Sequence, residues 1–209
     1  MVIDSLAKKS NLMMQTNLRP FMFGNDSFQD IKSILEEDGL ILYPTDTIWG
    51  IGCDATNERA VERVFQLKQR DPAKTFVLLV DSLEMLKDYV EQVPPKIETL
   101  LAFHTRPLTV VYDQAKKLAP NTVAADGSIA IRIASNLFCK QLIQAFGKPL
   151  VATSANISNE PFPKNFGAIS SEVIKGVDYV VRLNQENITF GEPSVIIRYA
   201  DGEVKFLRE

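Results

Sequence analysis

The sequence contains one histidine, His104, in 209 residues. That excludes multi-histidine metal centres, and any serine–histidine triad has to rest on this one residue. Its two cysteines, Cys53 and Cys139, lie far apart and form no CxxC. Such thiols read as buried fillers in a reduced interior, so a cytoplasmic protein is expected. No apolar run is long enough to span a bilayer, and no membrane contact is expected. The opening residues, MVIDSLAKKSNLMM, lack an apolar core followed by a small-residue cleavage site, so no signal peptide is expected. Positive charge is not in excess: 23 Lys and Arg stand against 26 Asp and Glu, a net charge of −3. Any contact with nucleic acid must therefore come from a local basic patch. There is no GxxxxGK followed by Ser or Thr, and no GxGxxG after a strand. A P-loop is excluded, and a Rossmann dinucleotide site is not expected. What remains is ordinary globular composition, 45% hydrophobic and 23% charged, long enough for one α/β domain with a full core.

The organising stretch is Leu40 to Arg70, LILYPTDTIWGIGCDATNERAVERVFQLKQR. Residues 40–43 are a short apolar run after Gly39 and predict a buried strand. Pro44 has no N–H to give and stops the ladder. Thr45, Asp46 and Thr47 follow at once. A helix over residues 57–69 is capped by Asn57 and carries Ala60, Val61, Val64, Phe65 and Leu67 on one face. It ends in Lys68-Gln69-Arg70, with Lys68 read as a surface-facing cation. Strand end, polar loop, helix and cation pair form the layout of a small-molecule site. Taken alone, YPTDT is also plain turn composition, and cations in a last helical turn also complement the helix dipole.

Elsewhere, helices are expected after Ser27, from Ser82 to Val90, opening at Pro94-Pro95 with Ile97, Leu100 and Leu101 on its stripe and His104 near its end, over 137–146, and weakly over 166–175. Strands are expected at 76–80, 108–112, 128–133, 149–152, 177–182, 194–199 and 203–207. Residues 44–56 and 113–127 read as loops, with turns around Gly191 and at Asp201-Gly202. Residues 1–25 carry little pattern and read as an arm or edge strand. Residues 26–209 read as one domain. Strands alternating with helices, then paired strands, predict an α/β fold with a mixed sheet and flanking helices.

A second polar cluster, Thr153-Ser154-Ala155-Asn156, follows the strand PLVA. Arg132 lies inside the apolar strand SIAIRI, where a cation is costly unless something anionic meets it. Hydroxyls, one amide and cations, with few carboxylates, suit binding of anions and a zwitterion better than acid–base catalysis.

YPTDTIWGIG, LKQR before a buried strand, SIAIRI and KPLVATSANIS together resemble the YrdC/Sua5 family of threonylcarbamoyl-AMP synthases. The likeness covers Leu40 to Asn159, and the ends more weakly. It implies a twisted α/β sheet around a concave basic cavity, with residues 26–209 as the YrdC-like domain. It also implies a nucleotidyltransferase making L-threonylcarbamoyladenylate and pyrophosphate from L-threonine, bicarbonate and ATP with Mg²⁺. The product would feed t6A modification of tRNA at position 37 through downstream transferase proteins. By position, Thr45, Arg132, Thr153 and Ser194 would hold threonine. Lys68, Arg70, Ser128, Ser154, Ala155, Asn156 and Arg208 would hold ATP, with Lys68 and Arg70 as the catalytic cations and no protein metal site.

Three departures stand out. His104-Thr105-Arg106-Pro107 replaces the family's Trp-Pro-Gly-Pro run, although LTVVY follows intact. Asp71-Pro72 follows the KxR triplet where proline usually comes directly. No long C-terminal extension is present, so the chain resembles the short form. Lys68 and Asn156 are both kept, unlike in a related subgroup that lacks them. The alternatives are a non-catalytic module binding double-stranded RNA or tRNA, and a lone domain of a carbamoyl-transfer maturation factor. The lack of zinc-finger cysteines and of an acylphosphatase-like segment argues against the latter.

Overall fold

The structure, a computed structural model, describes residues 22–23, 26–186, 191–200 and 202–208. The expected arm over 1–25 lies outside these residues apart from Met22–Phe23 (β1), which pairs antiparallel with Asp26–Ser27 (β2). The turn expected at Asp201 also falls outside them.

The chain continues through α1 (Phe28–Glu36), β3 (Ile41–Pro44), β4 (Trp49–Gly52), α2 (Glu58–Lys68), β5 (Val77–Val80), α3 (Leu83–Tyr89), α4 (Pro95–Phe103) and β6 (Leu108–Tyr112). Then come β7 (Ile129–Ile133), α5 (Leu137–Phe146), β8 (Leu150–Ser154), α6 (Ser171–Gly176), β9 (Tyr179–Val180), β10 (Val195–Ala200) and β11 (Glu203–Arg208). The main sheet has the order β11-β10-β6-β7-β5-β8-β4-β3-β9. It is mixed: β5 runs parallel to β7, β6 to β10 and β3 to β9, and the other neighbours are antiparallel. The expected twisted α/β sheet with flanking helices is what the chain forms.

Strand periodicity explains the continuous apolar runs. Leu40 and Leu42 enter one apolar cluster, and Ile41 and Tyr43 enter another. Leu78 and Val80 likewise part from Leu79. Successive side chains point to opposite faces, so a sheet covered on both sides needs apolar residues at every position. Helices begin where the sequence places caps: the Ser27 side chain accepts from Asp30 N–H, and Asn57 accepts from the N–H groups of Arg59 and Ala60.

Coverage of one face is incomplete, and the gap becomes the site. Helices α1 and α5 pack on Ile41, Tyr43, Leu79 and Leu150. Two residues further along the same strands, Val77 and Ala152 line an open cavity instead. The side chains on its floor are small (Gly50, Ala130, Ala152), which leaves room that no helix fills.

Four expectations are corrected. Residues 49–52 are a strand, not part of a loop: β3 and β4 form a hairpin in which Ile41 pairs with Gly52 and Pro44 with Trp49. The glycines hid it, because Gly weakens strand propensity. They are required by packing, since a Cβ on Gly52 would sit 2.6 Å from the Tyr43 ring and 2.8 Å from Val151 O. The helix expected over 166–175 is a 3₁₀ turn (Phe166–Ala168) followed by α6, which Ser170 caps separately. The strand expected over 177–182 shrinks to Tyr179–Val180. The loop 113–127 also holds a 3₁₀ turn at Pro120–Thr122.

Candidate active site

The cavity encloses about 380 Å³ above the sheet. The β3–β4 turn supplies Thr45 and Thr47. Thr45 Oγ1 donates to Ile48 O (2.7 Å), accepts from Thr47 N–H (3.2 Å) and lies 3.0 Å from Thr47 Oγ1. This ties the turn into one conformer with both hydroxyls at the cavity. Strand β8 delivers Thr153 and Ser154 to the opposite wall, paired with Ile51 and Gly50. A Cβ on Gly50 would lie 3.2 Å from Thr153 O, so this close approach favours glycine.

Three guanidinium groups, Arg70, Arg132 and Arg208, line the same space. Arg70 donates to Lys74 O (2.7 Å) and Thr75 O (2.9 Å), with its guanidinium 5.1 Å from the Phe76 ring centre. Burial lowers its pKa. Arg208 comes from edge strand β11. A register shift opposite Ile196 and Ile197 pairs Arg208 with Ile196, whose side chain faces the cavity. Without that bulge the alternation of the strand would turn Arg208 to the other face. Arg208 donates to Ser194 O (3.0 and 2.9 Å) and Ser194 Oγ (3.2 Å), and Ser194 Oγ lies 2.7 Å from Thr109 Oγ1. Burial, and then the charge of Arg132, lowers the Arg208 pKa. The cavity is thus basic within a chain of net charge −3.

Arg132 is met by a carboxylate of its own chain. Its Nη2 lies 2.9 Å from Asp46 Oδ1, with both side chains at 5% exposure or less, and its Nη1 donates to Thr47 Oγ1 (3.3 Å). Asp46 Oδ2 accepts from Ser135 N–H (3.1 Å) and Ser135 Oγ–H (2.8 Å).

Lys68 requires a correction. It is 1% exposed, among the largest fully buried side chains, and is not a surface-facing cation. Its Nζ donates to Ser154 O (2.5 Å), Asn156 O (2.6 Å) and Asn156 Oδ1 (3.5 Å). Helix α2 ends at this residue, Gln69 turns left-handed (φ 49°), and Lys68 O accepts from Ser158 N–H (2.8 Å). The lysine therefore clamps the loop after β8 onto the end of α2. Burial, with Arg70 second, lowers its pKa to about 7.

Thr45, Arg70, Arg132, Thr153, Ser154, Ser194 and Arg208 thus share one cavity, as expected. Lys68, Ala155 and Asn156 lie behind its wall. Ala155 is buried with its N–H on Trp49 O, and the Asn156 amide donates to Ile157 O and Glu160 O. Ser128 also does not line the cavity; it donates to Asp126 Oδ1 (2.6 Å). His104 ends α4, with Nδ1 2.5 Å from Arg106 O, and is not part of the site. Both thiols are buried, and burial raises their pKa. Thr47 and Asp46 were missed as site residues, although both stand inside the PTDT run that marked the loop. Phe162, 42% exposed on the cavity rim, carried no sequence signal.

Comparison with known proteins now decides the family. The profile of the Sua5_yciO_yrdC family, described as "Telomere recombination", matches residues 33–209. The chain belongs to this family. Among relatives, "Threonylcarbamoyl-AMP synthase" of Xanthomonas euvesicatoria pv. vesicatoria is 30% identical over 174 residues, covering 81% of this chain and 91% of the relative. Among solved structures, a substituted P. abyssi Sua5 superposes with a TM-score of 0.81 at 23% identity, over 90% of this chain and 58% of that one. P. abyssi Sua5 complexed with L-threonine gives 0.73 at 25% identity, over 87% and 53%. The chain thus spans little more than half the length of these Sua5 chains.

Proposed function

We propose that this chain is a threonylcarbamoyl-AMP synthase, joining L-threonine, bicarbonate and ATP into L-threonylcarbamoyladenylate and releasing pyrophosphate. The observation that carries the reading is the convergence of two distant polar loops and three arginines on one cavity, with Lys68 clamping the second loop in place. The family membership and the relative's name support it.

The threonine amine adds to bicarbonate, giving a carbamate and water. A carbamate oxygen then attacks the α-phosphate of ATP, and pyrophosphate leaves. No covalent enzyme intermediate is needed. Arg132 is assigned to the threonine carboxylate, with Thr45, Thr153 and Ser194 around the amino acid. Arg70, Arg208 and Ser154 are assigned to the nucleotide and its phosphates. Lys68, Ala155 and Asn156 act as positioning residues, through the loop that carries Ser154. Ser128 is the weakest of the nucleotide assignments, because its hydroxyl is committed to Asp126.

Mg²⁺ belongs to the nucleotide substrate. Among the described residues no three His, Cys, Asp or Glu side chains converge, and on this reading the ion would arrive on the phosphates of the nucleotide. Catalysis on this reading is positioning plus cationic stabilisation, and good alignment of bound reactants supplies roughly 7–11 kcal/mol at best. The product would pass to transferase proteins that modify tRNA in the cytoplasm. Among the described residues no helix is long and apolar enough to cross a membrane.

The test is pyrophosphate release in the presence of threonine, bicarbonate and ATP, with each omitted in turn. Release that requires all three is expected. No threonine-dependent release, together with salt-sensitive binding of tRNA or double-stranded RNA, would replace the synthase with the binding-module reading.

A further inference from the structure

The three cavity arginines are not equivalent. Arg132 is ion-paired with Asp46, and both side chains are almost completely buried. Among the described residues neither Arg70 nor Arg208 makes an ion pair; their guanidinium groups rest on backbone carbonyls of Lys74, Thr75 and Ser194, with the Ser194 hydroxyl beside Arg208. The cavity therefore presents one guanidinium in a direct ion pair and two without one; Asp71 acts on Arg70 only through space.

This difference matters if a polyanion and a zwitterion must be told apart in one space. A triphosphate carries several negative charges, and a nearby fixed carboxylate repels it in proportion to that charge. An amino acid carries one carboxylate and one ammonium and is neutral overall. A neutral pair suits it, since the guanidinium keeps N–H donors for the carboxylate and the pair adds no net positive charge to repel the ammonium. Asp46 is also held firmly. Both Ser135 donors lie on Oδ2, on the far side of the carboxylate from Arg132, and this fixes the carboxylate plane.

We infer that Asp46 is a specificity-determining residue that sorts the two substrates: by neutralising Arg132 it closes that guanidinium to polyphosphate and reserves it for a zwitterion. Asp46 does not line the cavity and acts through Arg132, so it is a positioning residue. The inference rests on the synthase reading. The wild type is therefore assayed first, and threonine-dependent pyrophosphate release there separates failure of that reading from failure of this one.

The deciding variant is Asp46→Asn, which keeps the shape and an acceptor for Ser135 while removing the charge. The measurement is the apparent threonine KM as ATP is raised from its own KM to tenfold above it. In the wild type this KM is expected to stay constant. In the variant it is expected to rise at least fivefold, because ATP now competes for Arg132. Inorganic triphosphate is expected to act in the same way. A merely structural role raises both KM values without competition, and that result overturns the inference. So does a variant whose threonine KM remains independent of ATP. If the variant does not fold, wild-type calorimetry decides: threonine affinity unchanged by saturating inorganic triphosphate supports the sorting role, and a tenfold weakening overturns it.

Discussion

Replacing Lys68 by methionine tests the buried clamp directly. The substitution keeps most of the aliphatic volume and removes the ammonium. In the folded chain Lys68 is 1% exposed, and its ammonium is held by backbone oxygens of Ser154 and Asn156 rather than by a carboxylate. Its pKa falls from 10.5 to about 7, chiefly through burial. A lowered lysine pKa means that the folded state binds fewer protons than the unfolded state between those two values. Stability contributed through Lys68 must therefore rise as pH increases from about 7 towards 10.5. The slope approaches ~1.4 kcal/mol per pH unit once the folded amine has lost its proton, so the step from pH 7 to 9 is worth on the order of 2 kcal/mol. Urea unfolding of wild type and Lys68→Met at pH 6, 7, 8 and 9 isolates this effect, because all other titrating groups cancel in the difference. The difference is expected to be flat below pH 7 and then to grow in favour of the wild type. A difference independent of pH between 7 and 9 would falsify the account of a strained ammonium. The same variant is expected to lose product formation, since the loop bearing Ser154 loses its anchor. Because Lys68 is core, that loss comes together with a change in stability.

Gly52→Ala forces a methyl against the Tyr43 ring and Val151 O, and is expected to cost about 1–3 kcal/mol in urea unfolding; an unchanged midpoint would contradict the packing argument. Thr45→Val removes the donor to Ile48 O at the cavity, and threonine KM should rise about tenfold, ~1.4 kcal/mol, while ATP KM moves little; equal loss for both substrates would reassign Thr45. Arg208→Ala, on edge strand β11, should cost little in thermal unfolding and raise ATP KM roughly ten- to a hundredfold, the worth of a charge-assisted hydrogen bond. A rise in threonine KM alone would place Arg208 at the other substrate.

The element pattern was legible in most of the chain because it depends on local chemistry. Ser27, Asn57 and Ser82 cap helices where they stand, since capping needs only the residue and the next turn. The strand at 108–112 forms despite the altered His104–Pro107 turn, because its apolar residues are buried whatever precedes them. The misses have a common cause. Trp49–Gly52 reads as a loop until Tyr43 and β8 are placed against its glycines, and Lys68 reads as exposed until the loop after β8 closes over it.

The sequence by itself determined the alternation of strands and helices, the two polar strand ends and the positions of the cations, because periodicity, caps and turn chemistry act over a few residues. Only the tertiary structure decided which cations meet which partners. Arg132 and Asp46 are 86 residues apart in the chain, and Lys68 and Asn156 are 88 apart. Strand pairing brings each pair to contact distance, and the β11 bulge turns Arg208 inward. Charge pairing and desolvation are properties of that packing, set by distance and burial, and no local pattern of residues encodes either.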